Sequence, residues 1–252
     1  MTTLLIDIGN THLQWGMDSE AGFAFGGASA ARPDLLESLF ARQWDKLKPE
    51  YLFMSCVGNE IIKQQIFNMA KSNWGIQAES LQTPKQGCGI SNAYASPETL
   101  GSDRWAAMVA AFAQTNGPVC VVDSGTAVTL DVVSQAGEHL GGLILPGYGL
   151  MRDCLQKGTR LDFEAAPLPT QPALGQSTEQ CTQQGTAIAI SSMVDKMYET
   201  LTNELAGLSL ILTGGDAGLL QSRICHESIL EPHLVLKGLA IIHRSFRSAS
   251  QI

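Results

Sequence analysis

Three short stretches hold side chains whose types and spacing suit work on a phosphate. The first is Asp7-Ile8-Gly9-Asn10-Thr11, set directly after the apolar run Leu4, Leu5, Ile6. A phosphate needs backbone N–H groups, hydroxyls and a cation to offset its charge. Asp7 could hold Mg²⁺ directly or through water, while Asn10 and Thr11 could hydrogen-bond phosphate oxygens. The same residues also suit a plain hairpin turn whose aspartate caps its own backbone. The second stretch, Asp123-Ser124-Gly125-Thr126-Ala127-Val128-Thr129, repeats the D-x-G pattern after Val119 to Val122. It is not a Walker A loop, since no Gly-Lys-Ser/Thr follows, and it lacks the GxGxxG dinucleotide fingerprint. The third is Leu100-Gly101-Ser102-Asp103-Arg104-Trp105. Here Ser102 offers N-cap chemistry, and Asp103 could accept the proton of an attacking hydroxyl during phosphoryl transfer. Arg104 could meet an anion, or the two could form an ordinary surface pair. Two glycine-rich stretches, Gly141 to Met151 and Thr213 to Ala217, complete the set. Each marks a turn near a neighbouring backbone or a ligand.

Positioning such groups takes strands that end in tight turns. Each D-x-G follows a β-rich apolar run and leads into another, Leu13 to Met17 and Val128 to Val133, which reads as two hairpins. Pro33 to Trp44, Glu60 to Trp74 and Ser102 to Gln114 carry helical apolar spacing, and so do Gly185 to Leu205 and Pro232 to Phe246. Tyr51 to Val57 reads as a buried strand, and strands are also expected at Gly75 to Leu81 and before Thr213. The Pro-, Gln- and Thr-rich stretch from Thr159 to Thr182 reads as an extended surface segment. Two such halves predict duplicated α/β domains, one over residues 1–115 and one over 116–252.

The bulk numbers exclude several classes. With 252 residues, 44% hydrophobic and 16% charged, the chain fits a soluble globular protein. A net charge of −8 argues against a general nucleic-acid binder. No apolar stretch has the length of a membrane span, and the N-terminal MTTLLIDIGN has no basic leader region, so no signal peptide is expected. The six cysteines are scattered without a CxxC pair and read as reduced, cytosolic thiols.

The five motifs in order, D-x-G-N-T, Y-x-x-P-x-x-L-G-x-D-R, D-x-G-T-A-x-T, G-G-x-I-x-P-G and T-G-G-D-A, together resemble the type III pantothenate kinases. That family belongs to the superfamily of acetate kinases, sugar kinases, chaperones and actin ATPases. The resemblance runs from Leu4 to about Phe246 and implies ribonuclease-H-like domains of the actin/hexokinase type with an ATP cleft between them. The implied reaction is ATP-dependent phosphorylation of pantothenate to 4′-phosphopantothenate, the first committed step of coenzyme A synthesis. By match to the family motifs, Asp7, Ile8, Gly9, Asn10, Thr11, His12, Leu13 and Gln14 would form an ATP-phosphate loop, and Thr126 would touch ATP. Asp103 would be the proton acceptor. Tyr94, Gly101, Ser102, Asp103 and Arg104 would line the pantothenate site, joined by Thr186 across a homodimer. Asp123 would bind a monovalent cation, K⁺ or NH₄⁺. Met193 stands where the family pattern commonly has glycine. Two alternatives are a kinase for another small hydroxy or carboxylate substrate, and a catalytically idle accessory regulator of the same fold. Damaged phosphate or base motifs would mark the idle one, and Asp7, Asp103 and Asp123 are all present.

Overall fold

A computed structural model describes residues 2–160 and 171–249. The chain forms two compact units, one of residues 1–113 with 233–252 and one of residues 114–232. Each is built on a five-stranded sheet.

The first unit opens with β1 (Thr3–Ile8), β2 (His12–Ser19) and β3 (Gly22–Ala30). A turn-rich helical stretch follows, with α1 (Leu36–Leu39) between a 3₁₀ turn and the wider π turn Phe40–Trp44. Then come β4 (Tyr51–Cys56), α2 (Glu60–Met69) and the short β5 (Ala78–Ser80). The side chain of Asn59 caps α2, accepting the N–H groups of Ile61 at 3.0 Å and Ile62 at 3.3 Å. A two-stranded ribbon, β6 (Gln86–Gly87) and β7 (Ile90–Ser91), leads to α3 (Ser102–Thr115). The sheet order is β3-β2-β1-β4-β5, antiparallel across the first three strands and parallel across the rest. Side chains alternate across β1. Leu4, Ile6 and Ile8 enter a core with Leu36, Trp44, Ile62 and Ile66, and Thr3 turns the other way toward His243.

The second unit repeats the plan with β8 (Val119–Ser124), β9 (Ala127–Val133), β10 (His139–Pro146), α4 (Tyr148–Gly158), α5 (Thr178–Thr202), β11 (Ser209–Thr213), α6 (Ala217–Gln221) and β12 (Ile229–Leu230). Its sheet order, β10-β9-β8-β11-β12, reproduces the first position for position, with the same antiparallel and parallel pairings. Ala187, Ile190 and Val194 of α5 pack with Cys120, Val122, Leu210 and Leu212, and Met193 lies partly buried against that core.

Four features depart from the sequence reading. The closing helix α7 (Leu234–Ala249) packs on β1, β2 and β4, so residues 233–252 group with the first unit rather than the second. The reason is a long-range one: His243 lies 3.3 Å from the Thr3 hydroxyl, and Arg244 forms a bidentate pair with Asp18. Strand β3 was not expected, because GFAFGGASA has the composition of a loop. Its glycines make room for Trp15, since a Cβ on Gly26 would fall 2.5 Å from that indole. The stretch Gly141 to Met151 is not only a turn but contributes most of β10 and the start of α4. Of the segment expected to be extended, 161–170 lie outside the described residues, and helix α5 has already begun at Thr178.

Candidate active site

The hairpin register fixes the first carboxylate. Asp7 is second to last on β1, with Gln14 opposite it on β2 and Ser55 beside it on the parallel β4. The three side chains therefore share one face of the sheet at the carboxyl end of β1. The Ser55 hydroxyl donates to Asp7 Oδ1 in a short contact. Asp7 is 8% exposed and Ser55 is 0%. The turn closes when Gly9 N–H donates to the His12 carbonyl at 2.9 Å. Asn10, Thr11 and His12 are exposed, whereas Ile8 and Leu13 are buried in the core and offer only backbone to a ligand.

Strand β4 leaves the sheet under this turn. A Cβ on Gly58 would fall 2.7 Å from the Gly9 carbonyl oxygen, so turn and strand exit are in backbone contact. The preceding residue, Val57, lies 3.5 Å from where a Cβ on Gly101 would stand. The strand exit thus brings the Asp7 turn and the start of α3 into one neighbourhood of the first unit.

At that helix start, Gly101 rather than Ser102 is the cap: its carbonyl accepts Trp105 N–H at 3.0 Å, and Ser102 is the first helical residue. Asp103 Oδ1 accepts the N–H of Arg104 at 2.7 Å. The positive end of the helix dipole favours the ionised carboxylate there. A Cβ on residue 101 would lie 2.5 Å from the same oxygen, so Gly101 serves to leave space for the Asp103 carboxylate. Arg104 is buried rather than a surface cation, and its Nη1 donates to the Tyr94 hydroxyl at 3.1 Å. Asn92 holds Tyr94 in turn, accepting its N–H at 2.9 Å and donating to the Pro97 carbonyl at 3.2 Å.

Asp123 occupies the position in the second sheet that Asp7 occupies in the first. Thr129 stands opposite it on β9 and Thr213 beside it on β11. Its turn is shorter, with Gly125 N–H donating to the Ala127 carbonyl at 3.0 Å. Gly147 N–H donates to the Thr126 carbonyl at 2.9 Å, and a Cβ on Gly147 would overlap the Gly125 carbonyl oxygen. Gly214, at φ +94°, sits directly under the Asp123 carboxylate, and Asp216 N–H donates to the Ser124 carbonyl at 2.9 Å. Both glycine-rich stretches therefore close on the second turn. Thr126 is exposed. Thr186 is buried on α5 but lines a groove of about 420 Å³ with Leu155, Thr178, Cys181, Thr182 and Gly185. Next to Gly147, the Tyr148 phenol is pushed up to about 12 by burial and by Asp216, and so stays neutral.

Sequence reasoning missed Ser55, Gly58 and Asn92. Ser55 lies inside an apolar strand, and only the strand register shows that it flanks Asp7. Among the described residues, no three His, Cys, Asp or Glu side chains gather into a metal cluster. A single carboxylate, as Asp7 offers, is a share that a protein commonly contributes to Mg²⁺ beside phosphates and water. No described helix is long and apolar enough to cross a membrane.

Comparison with known proteins shows the family to which the chain belongs. A family model described as type III pantothenate kinase matches residues 3–200. A type III pantothenate kinase of Marinobacter nauticus is 35% identical over 239 residues, covering 94% of this chain and 96% of its own. One of Nitrosococcus oceani is 32% identical over 244 residues, covering 94% and 92%. Among solved structures, a protein from Campylobacter jejuni described as a Baf family transcriptional activator aligns with TM-score 0.58 at 23% identity, over 99% of this chain and 100% of its own. The activator of 2-hydroxyisocaproyl-CoA dehydratase from Clostridium difficile, solved with bound ADPNP, aligns with TM-score 0.51 at 11% identity, covering 100% and 98%. At these identities the two structures speak for the fold alone.

Proposed function

The chain belongs to the type III pantothenate kinases, and on that premise we propose that it transfers the γ-phosphoryl group of ATP to the hydroxyl of pantothenate. The products are ADP and 4′-phosphopantothenate, at the entry to coenzyme A synthesis. The observation that carries the reading is the family match together with an ionisable carboxylate, Asp103, aimed from the start of a helix.

In this reading Asp103 orients the pantothenate hydroxyl and takes its proton. The hydroxyl oxygen bonds to the γ-phosphorus while the bond from that phosphorus to the β-bridging oxygen breaks, leaving ADP. In a loose transition state the proton leaves late, so position outweighs basicity. Arg104, held by Tyr94, neutralises the acid end of pantothenate, and Gly101 and Ser102 line the same pocket. The Gly9–Gln14 turn and Thr126 bind the ATP phosphates through N–H and hydroxyl groups. Asp7 would hold Mg²⁺ and Asp123 a monovalent cation, K⁺ or NH₄⁺, and these cations supply the positive charge that a polyphosphate needs in an acidic protein.

We place the protein in the cytoplasm as a homodimer in which Thr186 reaches pantothenate. Supporting the dimer, Leu143, Ile144, Leu150, Leu155 and Ile188 of β10, α4 and α5 are exposed apolar side chains, the kind of surface that subunit contacts cover. A coupled ADP-release assay, run with and without pantothenate in potassium and then sodium buffer, tests the reaction. The expected signal requires pantothenate and is larger in potassium. Asp103→Asn should lower kcat on the order of 100-fold or more. Near-normal turnover in that variant would remove Asp103 as the base, and ADP release without pantothenate would remove the kinase reading.

A further inference from the structure

We propose that Ser55 is a positioning residue that aims the Asp7 carboxylate at the cation accompanying ATP. The inference rests on the reading above, in which Asp7 serves Mg²⁺.

Ser55 interrupts an otherwise apolar strand, after Leu52, Phe53 and Met54. A hydroxyl with no solvent exposure costs free energy unless it finds a partner, and this one donates to Asp7 Oδ1. The bond restrains the carboxylate's rotation at the end of β1. Hydrogen bonds to a ligating carboxylate tune metal affinity in this way, and their loss typically costs about 10–100-fold.

The second sheet supplies an independent observation. Strands β4 and β11, YLFMSC and SLILT, differ at most positions, yet each places a buried hydroxyl residue at the register partner of the D-x-G aspartate. Thr213 is 2% exposed beside Asp123, as Ser55 is beside Asp7. The two sheets thus place a buried hydroxyl residue at the same register position beside the D-x-G aspartate.

The test is equilibrium binding of a non-hydrolysable β,γ-imido ATP analogue, followed by calorimetry through a Mg²⁺ titration and in EDTA. Wild type, Ser55→Ala, Ser55→Thr and Asp7→Asn are compared. Ser55→Ala should raise the Mg²⁺ concentration for half-maximal binding about tenfold, with affinity in EDTA unchanged. Ser55→Thr, which keeps the hydroxyl, should return toward wild type. If Asp7→Asn shifts the titration and Ser55→Ala does not, Ser55 only packs and the proposal falls. Equal weakening with and without Mg²⁺ would likewise reduce it to general loosening. If Asp7→Asn leaves the titration unmoved, the Asp7 assignment fails and this proposal with it.

Discussion

The Asp7 and Asp123 hairpins share a register but not a turn. In the first sheet the closing bond spans Gly9 to His12, and three exposed side chains, Asn10, Thr11 and His12, ride on the turn. In the second it spans Gly125 to Ala127, one residue shorter, and the turn is pinned from outside by Gly147 and by the Gly214–Asp216 loop. The first turn thus offers amide, hydroxyl and imidazole groups in variety. The second offers mostly backbone, with the carbonyls of Ser124 and Thr126 accepting from Asp216 N–H and Gly147 N–H. Polar side chains and N–H groups suit phosphate oxygens. A patch of carboxylate and carbonyl oxygens suits a weakly hydrated monovalent cation, in line with the roles proposed for Asp7 and Asp123. The two sheets share one frame, and turn length is what distinguishes their D-x-G hairpins.

Substitutions at glycines can break that contrast. Gly147→Ala has the largest expected effect, because its Cβ would meet backbone oxygen that cannot rotate away. Overpacking of this kind should cost about 3 kcal/mol of stability, read by denaturant unfolding. A variant as stable as wild type would mean that the second turn is not clamped. Gly58→Ala should cost less, about 1–2 kcal/mol, since its nearest approach to the first turn is 2.7 Å. It should also weaken analogue binding, because the turn would shift. Gly9→Ala, 3.2 Å from the His12 carbonyl oxygen, should change stability by under about 1 kcal/mol. If Gly9→Ala proved the most damaging of the three, the first turn would be the tighter one and the comparison would reverse.

Much of this frame was legible from residue order. The apolar runs before Asp7 and Asp123, the helix at Ser102 and the motif order are local signals, and each led to the right element. What escaped depends on contacts between distant positions. Glycine-rich β3 looks like a loop until Trp15 is laid across it. Ser55 looks like one polar residue in a strand until β1 is paired beside β4. Ser102 looked like a cap, but the carbonyl that accepts the first helical bond belongs to Gly101. The boundary near residue 115 follows chain order, and nothing local to α7 reveals that it belongs on the first sheet.

That last helix also sets an order of events during synthesis. The first sheet is translated early, but the helix that covers β1, β2 and β4 is translated only after the whole of the second unit. While the ribosome makes residues 114–232, the nascent sheet carries Thr3, Tyr51 and Phe53 without His243 and Phe246 against them. The second unit is continuous and can close on its own as it emerges, so the part begun second is free to finish first.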